Sequence, residues 1–160
     1  MEYNIRIANV REVPSVCHIS RWERMRYAGG EIAVTLASKF IPHPEIHTVS
    51  LRLTTTYCHM RSMMRHTILR YCIEMDFELE PEGMPRFDNG KGIDLPPRLM
   101  MLMYGPAVGA LRGMLAIRTA NTVLQEYPLP LINISALVSA HVNGSQVPDG
   151  IVPLTDFHYS

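Results

Sequence analysis

Between Thr67 and Leu79 the sequence alternates cleanly. Thr67, Leu69, Tyr71, Ile73, Met75, Phe77 and Leu79 fall on one side, and Arg70, Cys72, Glu74, Asp76 and Glu78 on the other. Successive side chains of a strand point to opposite faces, so a period of two over this length is a strand with one apolar and one polar face. A parallel sheet, buried on both faces, would read as a continuous apolar run. The alternation therefore predicts an antiparallel sheet covered on one side and wet on the other.

Three earlier stretches fit the same sheet. Residues 2–10 set Tyr3, Ile5 and Ile7 against Asn4, Arg6 and Ala8. Residues 31–41 turn Ile32, Val34 and Leu36 inward, and residues 46–60 set Val49, Leu51, Leu53, Thr55 and Tyr57 opposite Ser50, Arg52, Thr54 and Thr56. Pro14, Gly29-Gly30 and Pro42-His43-Pro44 break the runs, and residues 61–65 read as a turn. Val16 to Trp22 reads as an irregular continuation of the first strand, followed by a solvated stretch with Arg21, Glu23, Arg24 and Arg26. A Pro/Gly-rich loop over 80–97 separates this sheet half, 2–80, from a helical half, 98–142. Residues 143–160 break repeatedly and read as a surface tail beyond a single domain at 1–142.

The helical half starts with an apolar turn, Leu99 to Tyr104. A long helix then opens at Pro106, whose missing N–H costs nothing in a first turn. Val108, Leu111, Leu115, Thr119 and Thr122 share a face, flanked by Met114 and Ile117, and Arg112 and Arg118 are its only charges before Glu126. So uncharged a helix is too apolar to be covered on one side only. A 160-residue chain has room for one core, so the helix predicts packing against a second copy, an oligomer.

Composition narrows the function. Net charge is zero with no basic block, which argues against nucleic acid as a partner. Cys17, Cys58 and Cys72 are odd in number and lack metal-site spacing, so they read as reduced thiols of a cytoplasmic protein. No signal peptide and no apolar run long enough to span a membrane is apparent, so membrane insertion is not expected. His43-x-Glu45-x-His47 would align three ligands only on an extended strand, and no closed ligand set accompanies it, so no metal is expected. There is no phosphate loop and no serine elbow, so the chain reads as a non-enzyme without a cofactor. Methionine, by contrast, is abundant, with 11 residues including Met60-Met63-Met64 and Met100-Met101-Met103. Such side chains fill gaps in cores or line soft, promiscuous binding surfaces.

Arg112 in GALRGML, the connector YPLPLINISALV and above all Asn133-Ile134-Ser135-Ala136-Leu137 resemble the C-terminal half of the SecB protein-export chaperone family. In that family a helix with a Tyr-Ala-Arg-Glu-like segment leads through a Pro/Leu-rich connector to an Asn-Phe-x-Ala-Leu-like helix start, with the same Arg-to-Asn spacing. HTVSLRLTTT and RHTILRYCIEMDFEL resemble the family's third and fourth strands, and the likeness extends over roughly residues 3–140. It implies an α+β fold: a four-stranded antiparallel sheet, a long C-terminal helix and a short second helix, assembled as a dimer or homotetramer. It also implies an ATP-independent holdase that binds unfolded client polypeptides for protein export. The implied groove lies between the main helix, the connector and the second strand. Its expected residues are Met100, Met101, Met103 and Tyr104, with Leu124, Tyr127, Leu129 and Leu131 in the connector.

In the family the exposed sheet face carries acids that contact the translocase motor SecA. Glu12 sits near one such position, and Glu74, Asp76 and Glu78 line a strand face that is either simply solvated or a docking patch for a basic partner. Arg70 and Cys72 stand where the family has an apolar residue and an acid, and the chain is neutral where SecB proteins are usually acidic, which weighs against the motor. Some SecB-like proteins instead serve a dedicated partner such as the antitoxin of a toxin–antitoxin pair. A different class also fits helix-on-sheet patterning: a small α+β ligand-binding protein or hot-dog-like enzyme. Those folds place their long helix early, whereas here it follows the strands.

Overall fold

The alternating segments become strands. The computed structural model describes residues 3–25, 30–80, 94–144 and 151–159. Strands β1 (Ile5–Val13), β2 (Glu31–His43), β3 (Thr48–Arg61), β4 (Met64–Leu79) and β5 (Val152–Tyr159) form one antiparallel sheet in the order β1-β4-β3-β2-β5. Helices α1 (Ile19–Met25), α2 (Pro97–Thr119) and α3 (Ile134–Gly144) complete an α+β chain. Most of the loop expected over 80–97 lies outside the described residues.

The core fills the space between one sheet face and the helices. Leu36, Leu51, Leu53, Tyr57, Ile73 and Phe77 from the sheet meet Leu99, Met103, Leu111 and Leu115 of α2 and Leu137 of α3. Each fully buried side chain of this size stabilises the fold by roughly 1.5–3 kcal/mol relative to exposure, before the entropy of ordering is subtracted. Phe40 of β2 ties the layers together, edge-to-face with Tyr104 at 5.5 Å and with His141 of α3 at 5.0 Å. The Tyr104 hydroxyl shares a 2.6 Å hydrogen bond with Ser38, and burial pushes its pKa up to about 12.

Five expectations are corrected. The long helix opens at Pro97, not Pro106, so Leu99 to Tyr104 is its first part rather than a separate turn. Pro106 is tolerated inside because it lies on the solvent side, as does Leu102, whose carbonyl loses its usual partner and can be hydrated there. At 23 residues α2 meets the length and composition of a membrane span, against the expectation of no such run, although its inner side packs on the sheet. It ends at Thr119, so Thr122 is outside it. Asn121 turns the chain at φ 61, and Thr122 donates to Thr119 O (2.7 Å) and accepts from Leu124 N (3.2 Å) to start a short 3-10 turn, Val123–Glu126.

The other corrections concern the chain's two ends. Residues 19–25 are a helix, not a continued strand, because Ile19 and Trp22 repeat at helical spacing against the core. The expected surface tail contains β5, so the sheet has five strands rather than four. Its Pro153 and Asp156 hide it from a propensity reading, but both are compatible with an edge strand, which needs hydrogen bonds on one side only. The second helix starts where expected, with Asn133 Oδ1 accepting from Ala136 N at 3.3 Å as an N-cap.

Candidate functional site

The eight residues expected to line a groove divide sharply. Met100, Met103, Tyr104, Leu124 and Leu129 are buried in the core, and Tyr127 is half-buried. Only Met101, 44% exposed, and Leu131, 92% exposed, face solvent. Helical rotation decides this: a residue one position along turns by about 100°, so Met100 and Met103 face the sheet while Met101 and Leu102 face away. A continuous groove of those eight side chains is not what the chain forms.

The outer side of α2 is the apolar surface left uncovered. Met101, Leu102 and Ile117 are exposed there, Ile117 by 78%. Between them stand Gly105, Gly109 and Gly113, and an added Cβ at any of the three would meet nothing within 4 Å. From Met101 to Ile117 this side carries no exposed charge, with Arg98 and Arg118 at its two ends. The sheet adds to the apolar exposure on the same side, since Ile7 and Val10 of β1 share a face with Phe77 and Met75 but stay 49% and 41% exposed.

The connector is held by side chains rather than by backbone. Pro128 and Pro130 have no N–H to offer a ladder. Its carbonyls are instead collected one by one. Tyr57 donates to Tyr127 O at 2.7 Å, Tyr159 to Pro128 O at 2.6 Å, and Arg112 to both Leu129 O and Pro130 O, the latter at 2.8 Å. Arg112 is therefore a clamp on the connector, and a recess of about 150 Å³ beside it is lined by Tyr57, Leu115 and Leu129.

The four acids expected to form one docking face do not share a face. A bulge between Ile7 and Asn9 shifts the β1 register, so Glu12 pairs with Ile73 on the helix side. There Arg118 grips both its carboxylate oxygens and Tyr71 donates to it at 2.5 Å, which together hold its pKa down at about 2. Burial, and then Glu12, push the Tyr71 hydroxyl up. On the opposite face Glu74, Asp76 and Glu78 sit in a cross-strand ladder. Arg6 pairs with Glu78, Arg11 with Asp76 (2.6 Å) and Glu74, and Arg52 Nε with Glu74 at 2.6 Å. Ser50 donates to Asp76 at 2.5 Å. Burial works to raise the Asp76 pKa, but Arg11 and Ser50 outweigh it and hold it low. Glu74 is only 6% exposed, because the Arg11 and Arg52 side chains lie over it.

The remaining candidates separate in space. His43 ends β2 and reaches Ser50 Oγ at 3.1 Å, Glu45 lies in a 3-10 turn, and His47 follows at φ 53, so the three do not line a strand. No three His, Cys, Asp or Glu side chains among the described residues are placed to hold a metal ion together. Cys58 and Cys72 are buried thiols and Cys17 is exposed. Residues that the sequence left unassigned gather where α1 meets the β3–β4 hairpin: His18, Arg21, Trp22, His59, Arg65 and His66 line one cleft. Their separation along the chain hides the cluster from any motif search. No protein-family model, curated protein or solved structure matches this chain.

Proposed function

We propose that this chain is a SecB-like holdase, an ATP-independent chaperone that works as an oligomer and shields unfolded polypeptide. The observation that carries the reading is the outer side of α2. Met101, Leu102 and Ile117 are left in water along a helix side without charge. Three glycines in an exposed helix interior each cost about 0.8–1 kcal/mol against alanine, and none of the described residues packs where their side chains would stand. Close approach of another helix would offset that cost. In this reading a second copy packs on the glycine stripe, as a dimer or tetramer. Clients are held at its margins by Met101 and Leu131 and by the exposed edge of β1, through flexible apolar contacts and strand pairing. The clients are export substrates or a dedicated partner of the antitoxin kind. SecA docking finds less support, since Glu74 and Asp76 are already matched by Arg11 and Arg52.

Aggregation of an unfolded test protein, followed with and without this chain alongside its mass in solution, tests the reading. Suppression near stoichiometric ratio by a dimer or tetramer without ATP is the expected result. A monomer that suppresses nothing sinks it and favours the small ligand-binding protein instead.

A further inference from the structure

We propose that the cleft between α1 and the β3–β4 hairpin is a binding site for a phosphate group carried by a small molecule or a lipid headgroup. The cleft measures about 250 Å³, below the range that holds drug-sized ligands but sufficient for a phosphomonoester. Its polar lining is of one kind. Arg21 and Arg65 bring guanidinium groups, His18, His59 and His66 bring imidazoles, and no Asp or Glu lies among the lining residues described. Elsewhere among the described residues Arg6, Arg11, Arg52 and Arg118 are each paired with an acid. Planar guanidinium groups match the oxygens of phosphate in bidentate fashion, and a tetrahedral dianion accepts more hydrogen bonds than a carboxylate.

The wall of the cleft is built, not incidental. His59 and His66 are direct cross-strand partners, two pairs before the hairpin turns. The chain before α1 is pinned to β4 by His18 N donating to Ile68 O at 2.6 Å and by Arg70 N donating to Val16 O at 2.8 Å. Trp22 is 92% buried by its 8% exposure and stands edge-on to His59 at 6.3 Å. Its Nε1–H, a donor with no acceptor role, is buried with no hydrogen-bond partner among the described residues. A buried donor left open in this way is rare, and at this cleft it is available to an acceptor such as a phosphate oxygen.

Trp22 is the sole tryptophan of the sequence, so its emission reports on this cleft alone. Inorganic phosphate and glycerol phosphate, titrated at constant ionic strength against acetate and chloride, give a saturable change in emission and a matching heat. The paired Arg21→Gln and Arg65→Gln substitution weakens that binding about tenfold or more, and His66→Gln weakens it less. Arg98→Gln, which removes a positive charge elsewhere, leaves it unchanged. Both arginines of the pair are exposed, so the variant folds, which the unliganded emission checks. Vesicles of phosphatidylcholine with and without phosphatidic acid separate the sources: binding to the ester alone assigns a soluble ligand, and co-sedimentation with phosphatidic acid assigns a headgroup. A response shared equally by chloride and acetate, or a phosphate affinity untouched by the paired substitution, overturns the proposal.

Discussion

Two surfaces lie on opposite sides of this molecule, and they are finished to different degrees. The outer sheet face is polar and complete. Its carboxylates meet Arg6, Arg11 and Arg52 across the strands, and even Glu74, almost out of water, has two partners. The outer side of α2 is apolar and open, with Met101, Leu102 and Ile117 in solvent around a row of glycines. A charged ladder satisfies itself within one chain because opposite charges alternate between neighbouring strands. An apolar stripe has no such internal solution and is satisfied only by something laid on it. The proposed function accordingly rests on the helix side, whereas the acids that the sequence offered as a docking patch are matched within the chain.

That contrast can be broken in graded steps. The inner side of α2 sets the scale: Leu111 is fully buried, and Leu111→Ala lowers unfolding stability by about 2–5 kcal/mol in denaturant titration. On the sheet face, Arg52→Met leaves Glu74 with Arg11 alone. This costs about 1–2 kcal/mol after discounting for the part-exposed arginine, with no change in solution mass or in client protection. A change in mass there would show that the ladder is an interface after all. Gly109→Arg on the outer helix side has the reverse signature. The fold keeps its stability within about 0.5 kcal/mol while self-association weakens tenfold or more by sedimentation. Gly109→Ala sharpens the point by raising monomer stability roughly 0.5–1 kcal/mol, since its new methyl meets no atom of the described residues.

The smallest effect is with acid. The folded pKa of Glu12 is depressed below its ordinary 4.5 to about 2 by Arg118 and Tyr71, and that of Asp76 is also lowered. Each therefore binds fewer protons folded than unfolded. Their stabilisation is whole above the ordinary carboxylate range and is lost as pH falls through the folded values. Urea midpoints hold from neutral pH to about pH 5 and decline from there toward about pH 2, and Glu12→Gln flattens part of that decline. An unchanged slope would show that the Glu12–Arg118 pair contributes nothing at this exposed position.

Much of the sheet was legible, because β4 announces its two faces residue by residue and β3 repeats the pattern. The long helix was legible in kind but not in phase. Reading Pro106 as a beginning left Met100 to Tyr104 without an orientation, and the groove residues followed from the family resemblance rather than from which side they face. Glu12 was misplaced for a different reason: a single bulge in β1 reverses the side on which every later residue stands, and nothing local in Ile7-Ala8-Asn9 signals it. The role of Arg112 was invisible too, since its partners are carbonyls, which every residue has.

The strand order carries a consequence for synthesis. β2, β3 and β4 pair with their neighbours in sequence, so they can form a meander as soon as they emerge. β1 is made first but pairs with β4, and must wait unpaired until three further strands exist. β5 closes the free edge of β2 only after α2 and α3 have been made. Non-local closures of this kind are slow steps. A nascent chain of this protein therefore passes through a stage with both sheet edges unguarded, and is itself, for that interval, the kind of client that a holdase would protect.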